Sequence, residues 1–433
     1  MKIKFLIAFI LLFIIKCEEN TTYNDEFLNW GKKNKLKISH YIEVASIEKD
    51  KIRFIAKTNI PKKKKLLTIP NSLMFNITKA LKLINSKNLN KQYEQFSKLN
   101  LTYEPNPYDF RKEESFLSYI FYLIDHKSKK YKKTKFYENY QQYFESLKHN
   151  KIKSALFFDQ DQLNFLAGTH LGHSIEVLRK VYQDETDILN KETYYKKYLD
   201  YDDYIIKRLI INNKGLNISN HWTLVPFLNY FDDDYTDYNA NYTIEENGDM
   251  NIMSKKKIQK GEEIVLKAKK MSNIRRFLLQ GKTNEKLLYY FEDYIISAIA
   301  PGLYKHFGIK DYDYFQNYYI NVLEKDFDSK ATGIYLDHAE MLNGDGSDTW
   351  AYSVLQKNLL YYKERFNRVT LGNIYDVFYD KDDRINIDRI FRGEKKVLEK
   401  AYNEVMGTIN HFVDIQNKYM SDDNKNKENI IDL

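Results

Sequence analysis

Asp232, Asp233 and Asp234, with Asp237 three residues further on, form an acidic run. Carboxylates so placed suit a hard cation that takes oxygen ligands. The run lacks the glycine and the terminal glutamate of an EF-hand loop, so a solvated loop is the simpler reading. His170 and His173 stand about one helical turn apart, a spacing that can hold zinc. No third ligand accompanies them, and Gly172 lies between them, so a structural or surface role is favoured and no metal is expected. Asn343-Gly-Asp-Gly-Ser347 reads as a plain turn. Serine, histidine and aspartate all occur, but there is no G-x-S-x-G elbow to expose a nucleophile. A P-loop and a dinucleotide fingerprint are also absent from the sequence.

The elements that would position such residues fall in a definite order. Leu36–Ile60 alternates in places, as in YIEVASI and IRFIAKTNI, and reads as strands. Pro61 and the lysines after it mark a turn, and LLTIP (66–70) is another short strand. Phe110–Phe144 is helical in character, and its segment Ser115–Ile124 is apolar nearly all round, as a buried helix is. Asp159 is placed to cap a helix that starts near Gln160 and runs to Gly168. Helical spacing continues from Ser174 to Asn213. Strand character returns at Leu224–Phe227 and Tyr242–Ile244, with Asn247-Gly-Asp249 as a hairpin turn. From Asn284 to about Gln416 the pattern is helical again, and the terminal SDDNKNKENIIDL is a polar, frayed tail. Strands, helices, strands and then helices predict an α+β domain with an inserted helical block.

The chain has 433 residues and is 43% hydrophobic and 15% aromatic, which fits a folded chain with a sizeable core. Its 37 tyrosines against 15 glycines and 6 prolines suggest compositional drift. The aromatic and basic residues of Tyr194–Tyr198 and Tyr312–Tyr319 could stack on single-stranded nucleic acid, but packing is the simpler role. A net charge of +8 over this length is weak ground for a nucleic-acid partner, and none is expected. Lys2 and Lys4 precede the apolar run Phe5–Ile15, so Met1–Cys17 reads as a secretory signal, or as a membrane anchor if it is not cleaved. Cys17 is the only cysteine, so neither disulfides nor thiolate zinc sites are expected in the rest of the chain. Asn20, Asn76, Asn100, Asn217 and Asn241 begin glycosylation sequons that a secretory route would make usable.

Four ordered segments carry a resemblance. They are FLNWGKKN with FIAKTNI and LLTIP, then YFESL with FFDQDQLNFLAGTHL, then LVPFLNYFDDD through KKIQKGEEIV and MSNIRRFLLQG, and lastly the helical C-terminal region. Together they resemble the SET-domain methyltransferases of the Rubisco large-subunit methyltransferase class. The resemblance implies a SET domain over 25–282 with a helical insertion at about 105–215. It also implies an all-helical substrate-binding-like lobe over 283–420, followed by a polar tail over 421–433.

It further implies where a cofactor and a target amine would sit. The class brings S-adenosylmethionine against a Gly-x-Gly, because a side chain there would block the approach. Those positions carry Lys51 and Arg53. The Asn-His pair that holds the cofactor falls at Asp232 and Asp233. The tyrosine that orients the amine falls at Ala268, with Lys269 after it. Asn273 remains, as do the framework residues Pro226, Phe227, Gly261, Glu262, Glu263 and Gly281. Arg208 matches an arginine that ends the insertion.

The losses lie where cofactor and amine would bind. The expectation is a catalytically degenerate SET protein of the secretory pathway that binds another protein and carries no cofactor. The alternative is an active S-adenosylmethionine-dependent protein-lysine (or histidine) methyltransferase with a rewired site.

Overall fold

The computed structural model describes residues 25–48, 51–98, 111–126, 128–148, 153–167, 169–192, 199–268, 271–287, 291–296, 318–322, 333–335, 360, 364 and 374–431. Met1–Cys17, the Tyr194–Tyr198 stretch, Asn343–Ser347 and Lys269 lie outside them. The chain divides into two compact units. The first holds the described residues up to Ile152 together with Lys180–Lys270, and the second holds Lys153–Arg179 with the described residues from Met271 onward.

Among its described residues the first unit contains ten strands: β1 (Lys37–Ile38), β2 (Ile42–Glu48), β3 (Lys51–Ala56), β4 (Lys65–Ile69), β5 (Gly215–Ile218), β6 (His221–Leu224), β7 (Asp232–Asp234), β8 (Ala240–Ile244), β9 (Met250–Ser254) and β10 (Val265–Lys267). Six of them form a sheet in the order β1-β4-β9-β8-β10-β7. β8 and β9 are the hairpin expected around Asn247-Gly-Asp249, and Gly248 takes the φ of +83° that its turn needs. β10 runs parallel to both β7 and β8, whereas β2 and β3 form a separate antiparallel hairpin. That hairpin meets the approach to β10 through bridges Ile55–Glu263 and Ile60–Ile258. Leu66, Leu67 and Ile69 of β4 are fully buried beside Met250 and Ile252 of β9. They form the core over which the rest is laid.

The strand expected at Leu224–Phe227 ends at Leu224. Pro226 has no N–H to give a ladder, and Phe227 adopts φ +73°, a left-handed conformation unusual for a bulky residue. Packing holds it there. The Phe227 ring stacks 4.3 Å from Phe27 and 5.8 Å from Trp30. Gly31 makes this possible, since a Cβ at that position would lie 2.4 Å from the Phe227 ring.

The helical insertion is present as Arg111–His126, Lys135–Lys148, Tyr201–Lys214 and the part of His170–Glu192 that belongs to this unit. At its centre Arg208 is 2% exposed and Glu185 is 0% exposed. Arg208 Nε donates to Glu185 at 3.0 Å, and Nη1 donates to Glu114 at 2.8 Å and to Asn212 at 2.9 Å. Tyr204 adds its hydroxyl to Glu185 at 3.0 Å. A buried charge needs such partners on every side.

In the second unit, Gln160–Leu166 is a helix with a capping box, in which Asp159 and Gln162 satisfy one another's backbone N–H groups. Ser272 caps Asn273–Gln280, and Gly281 ends that helix at φ +67°. The C-terminal region is helical over Ile374–Val377 and Lys381–Ile431, so the helix runs through most of the segment read as a frayed tail. Three described segments of the C-terminal region differ from the all-helical expectation. Phe291–Ile296, Tyr318–Val322 and Gly333–Tyr335 pair as a small antiparallel sheet. Their aromatic and β-branched residues favour pleated pairing over the helical spacing read there.

Candidate cofactor and amine site

Most of the motif positions come together in the first unit because three backbone segments lie side by side. Ile264 N–H donates to Phe54 O at 2.9 Å, which ties β3 to the approach to β10. β10 then pairs with β7, with Val265 opposite Asp232, Leu266 opposite Asp233 and Lys267 opposite Asp234. Ala268 N–H extends the ladder to Asp234 O at 2.9 Å. Arg53, Asp232, Asp233 and Ala268 therefore share one neighbourhood. Lys51 opens β3 opposite Glu48, and its side chain lies outside the described residues.

Arg53 occupies the centre of this arrangement. Its Nη1 donates to Asn229 O at 3.2 Å and to its neighbour Ile52 O at 3.0 Å. Its Nε faces Glu263 Oε1 at 3.1 Å, as an ion pair rather than an aligned hydrogen bond. The two side chains are 19% and 23% exposed, so solvent screens the pair only in part. One guanidinium thus joins β3, the turn before β7 and the approach to β10. The turn also holds Asn229 Oδ1, a buried acceptor with no hydrogen-bond partner among the described residues.

The aspartates serve the local turn. Asp232 Oδ1 accepts from Asp233 N–H at 3.0 Å. Asp234 Oδ1 accepts from the Thr236 N–H at 2.6 Å, the Thr236 hydroxyl at 2.8 Å and the Asp237 N–H at 2.9 Å. Asn239 then staples the turn to β10, accepting from Val265 N–H at 2.9 Å and donating to Glu263 O at 2.8 Å. Among the described residues, no three His, Cys, Asp or Glu side chains are grouped to hold a metal ion.

Ala268 is buried and brings no hydroxyl. The tyrosines of this unit differ sharply in character. Tyr230 is buried against Phe27 and Phe54, and burial pushes its phenol well above the usual value. Tyr242 is shifted in the same direction for the same reason. Tyr238 is the opposite case. Lys255 hydrogen-bonds its hydroxyl and lies over its ring, with Lys267 5.7 Å from the ring, and the phenol is held below its usual value.

Asn273 belongs to the second unit and is buried at the start of its helix. Its Nδ2 donates to Asn284 O at 2.9 Å, and its Oδ1 accepts from Asn284 N–H at 2.7 Å. That amide clamps a turn. Glu263, Asn229 and Tyr238 were not singled out as site residues by sequence. Their partners are distant in the chain, and no spacing rule connects Arg53 with residue 263.

No protein-family model matches the chain, and no curated protein matches it by sequence. Solved structures do match it. The SET domain of LSMT bound to lysine and AdoHcy is similar at a TM-score of 0.61 and 12% identity, covering 89% of this chain and 91% of that one. Rubisco LSMT bound to AdoMet is similar at a TM-score of 0.60 and 14% identity, covering 89% and 92%. The chain has a SET-domain, methyltransferase-like fold. At such identities the likeness shows the fold alone.

Proposed function

We propose that this chain is a catalytically degenerate SET-fold protein that acts in the secretory pathway by binding another protein. One observation carries the reading. At a position where the class needs glycine, Arg53 is clamped to Asn229 O and to Glu263. A cradle for S-adenosylmethionine requires bare backbone there. A second cation beside a sulfonium is also unfavourable in a poorly hydrated site. Ala268 lacks the hydroxyl that would orient an amine, and Asp232 and Asp233 cannot donate hydrogen bonds as an amide does when they are ionised. The residues do not fit the cofactor, so no methyl-transfer step is derived. The secretory placement rests on the charged and apolar pattern of Met1–Cys17.

Calorimetric titration of the purified protein with S-adenosylmethionine tests this. The expected result is no binding heat from a well-folded sample. Micromolar binding that the charge-preserving Asp232→Glu abolishes would overturn the reading in favour of an active methyltransferase. Asn229 Oδ1 is the observation that favours that second reading, as a buried acceptor able to meet the cofactor's ammonium.

A further inference from the structure

The second unit contains an open cavity of about 840 Å³. One wall is a single face of the helix Lys381–Ile431. Lys381, Arg384, Asp388, Arg392 and Lys395 follow one another at steps of three or four residues, which places them in one stripe. Ile385 accompanies the stripe, Phe165 and Ile374 extend an apolar lining, and Phe391, only 6% exposed, backs it. A charged row alone would ordinarily face solvent, but an apolar lining beside it is ordinarily covered by a neighbour. Here Ile385 stays 39% exposed, and Tyr375, on which Arg384 rests at 4.8 Å, stays 67% exposed.

The charges around this lining are unbalanced. Five cations (Lys381, Arg384, Arg389, Arg392 and Lys395) face two carboxylates, Glu285 and Asp388. Arg392 pairs with Asp388 at 3.0 Å and Arg389 with Glu285 at 3.6 Å. Lys381, Arg384 and Lys395 make no ion pair among the described residues. The nearby Asp380 and Asp382 are engaged by Lys153.

We propose that this groove docks an acidic peptide segment of a partner protein, seating an aliphatic or aromatic side chain on the apolar lining while its carboxylates meet Lys381, Arg384 and Lys395. The proposal rests on the reading of the chain as a protein-binding scaffold and names the partner's chemistry. An acidic peptide supplies both complements, apolar and anionic, along one strand. A nucleic acid carries a charge at every nucleotide and offers flat bases for stacking, whereas the lining includes the aliphatic Ile374 and Ile385, which a peptide side chain fills better.

The test is fluorescence anisotropy on the full chain. The probe is a fluorescein-labelled peptide of Glu, Asp, Leu and Phe. The controls are the same peptide with lysine at each acidic position, an all-glutamate peptide and a single-stranded DNA oligonucleotide. Only the first peptide is expected to bind, and its binding should weaken as salt rises. The triple substitution Lys381→Glu, Arg384→Glu and Lys395→Glu should weaken it at least about tenfold. Lys381→Arg with Lys395→Arg should leave it unchanged. If the triple variant does not fold, Lys395→Glu alone, at an exposed position, should still weaken binding severalfold. Absence of binding, equal binding by the triple variant, or equal or tighter binding of any control overturns the proposal. S-adenosylmethionine titration tests the degenerate-enzyme reading separately, so either can fail alone.

Discussion

Arg53 Nε lies 3.1 Å from Glu263 Oε1, although the two residues belong to distant parts of the chain. The pair joins the β2–β3 hairpin to the strand system through β10. Arg53→Ala removes this ion pair and the bond to Asn229 O together, and is expected to cost about 1–2 kcal/mol. A double-mutant cycle with Glu263→Ala, followed by urea denaturation, should give a coupling of about 0.5–1 kcal/mol. A coupling of zero would mean that the guanidinium acts through Asn229 alone.

Arg208 holds the inserted helices from within. Removing it leaves Glu185 and Glu114 facing one another in a buried space. Arg208→Ala is expected to destabilise by about 3–5 kcal/mol. Arg208→Lys should recover only part of this, because one ammonium cannot reproduce the fork of bonds to Glu185, Glu114 and Asn212. Chemical denaturation of the two variants checks the order.

Buried phenols set an alkaline limit on stability. Burial, and then the charge of Glu113, raises Tyr93 from 10.0 to about 12. Tyr143 and Tyr204 are raised further, chiefly by burial. A raised folded value means that the unfolded chain loses its protons first. The stability these groups contribute is complete below about pH 10 and is lost as pH rises through their folded values. Denaturation midpoints should therefore fall from about pH 10 upward. Tyr93→Phe should flatten the part of that slope lying between pH 10 and 12. An unchanged slope would show that Tyr93 does not contribute.

Gly281 is a point of strain tolerance in the second unit. It takes φ +67°, and a Cβ there would lie 2.6 Å from Lys153 O. Gly281→Ala should cost about 1–3 kcal/mol, through the left-handed backbone and the contact together. Thermal denaturation followed by circular dichroism should show the loss, whereas Gly407→Ala, with nothing within 4 Å, should not reduce stability.

Much of the fold was legible because its signals are local. LLTIP, Asn247-Gly-Asp249 and Asp159 state a strand, a hairpin and a helix start within a few residues, and the structure has each of them. The end of β6 was not legible, since the left-handed Phe227 is fixed by Phe27, Trp30 and Gly31 from the other end of the unit. Strand pairing of the three described C-terminal segments was missed because short aromatic runs satisfy helical and strand spacing alike. At the candidate site the resemblance pointed to Arg53, Asp232 and Ala268, which the fold brings into one region. It could not show that Glu263 and Asn229 receive the arginine, because that depends on which strands lie side by side.

The two described tryptophans make the first unit optically self-reporting. Trp30 donates its indole N–H to Asn139 O at 3.1 Å, and Trp222 donates to Ile211 O at 3.1 Å. Trp222 is seated against Gly215, where no larger residue fits. Each indole thus touches a strand-or-turn element on one side and the helical insertion on the other. Separation of the insertion from the strands would change the emission of both at once, so the fluorescence of a Trp350→Phe variant, in which only these two indoles remain, reads out whether the two layers are still joined.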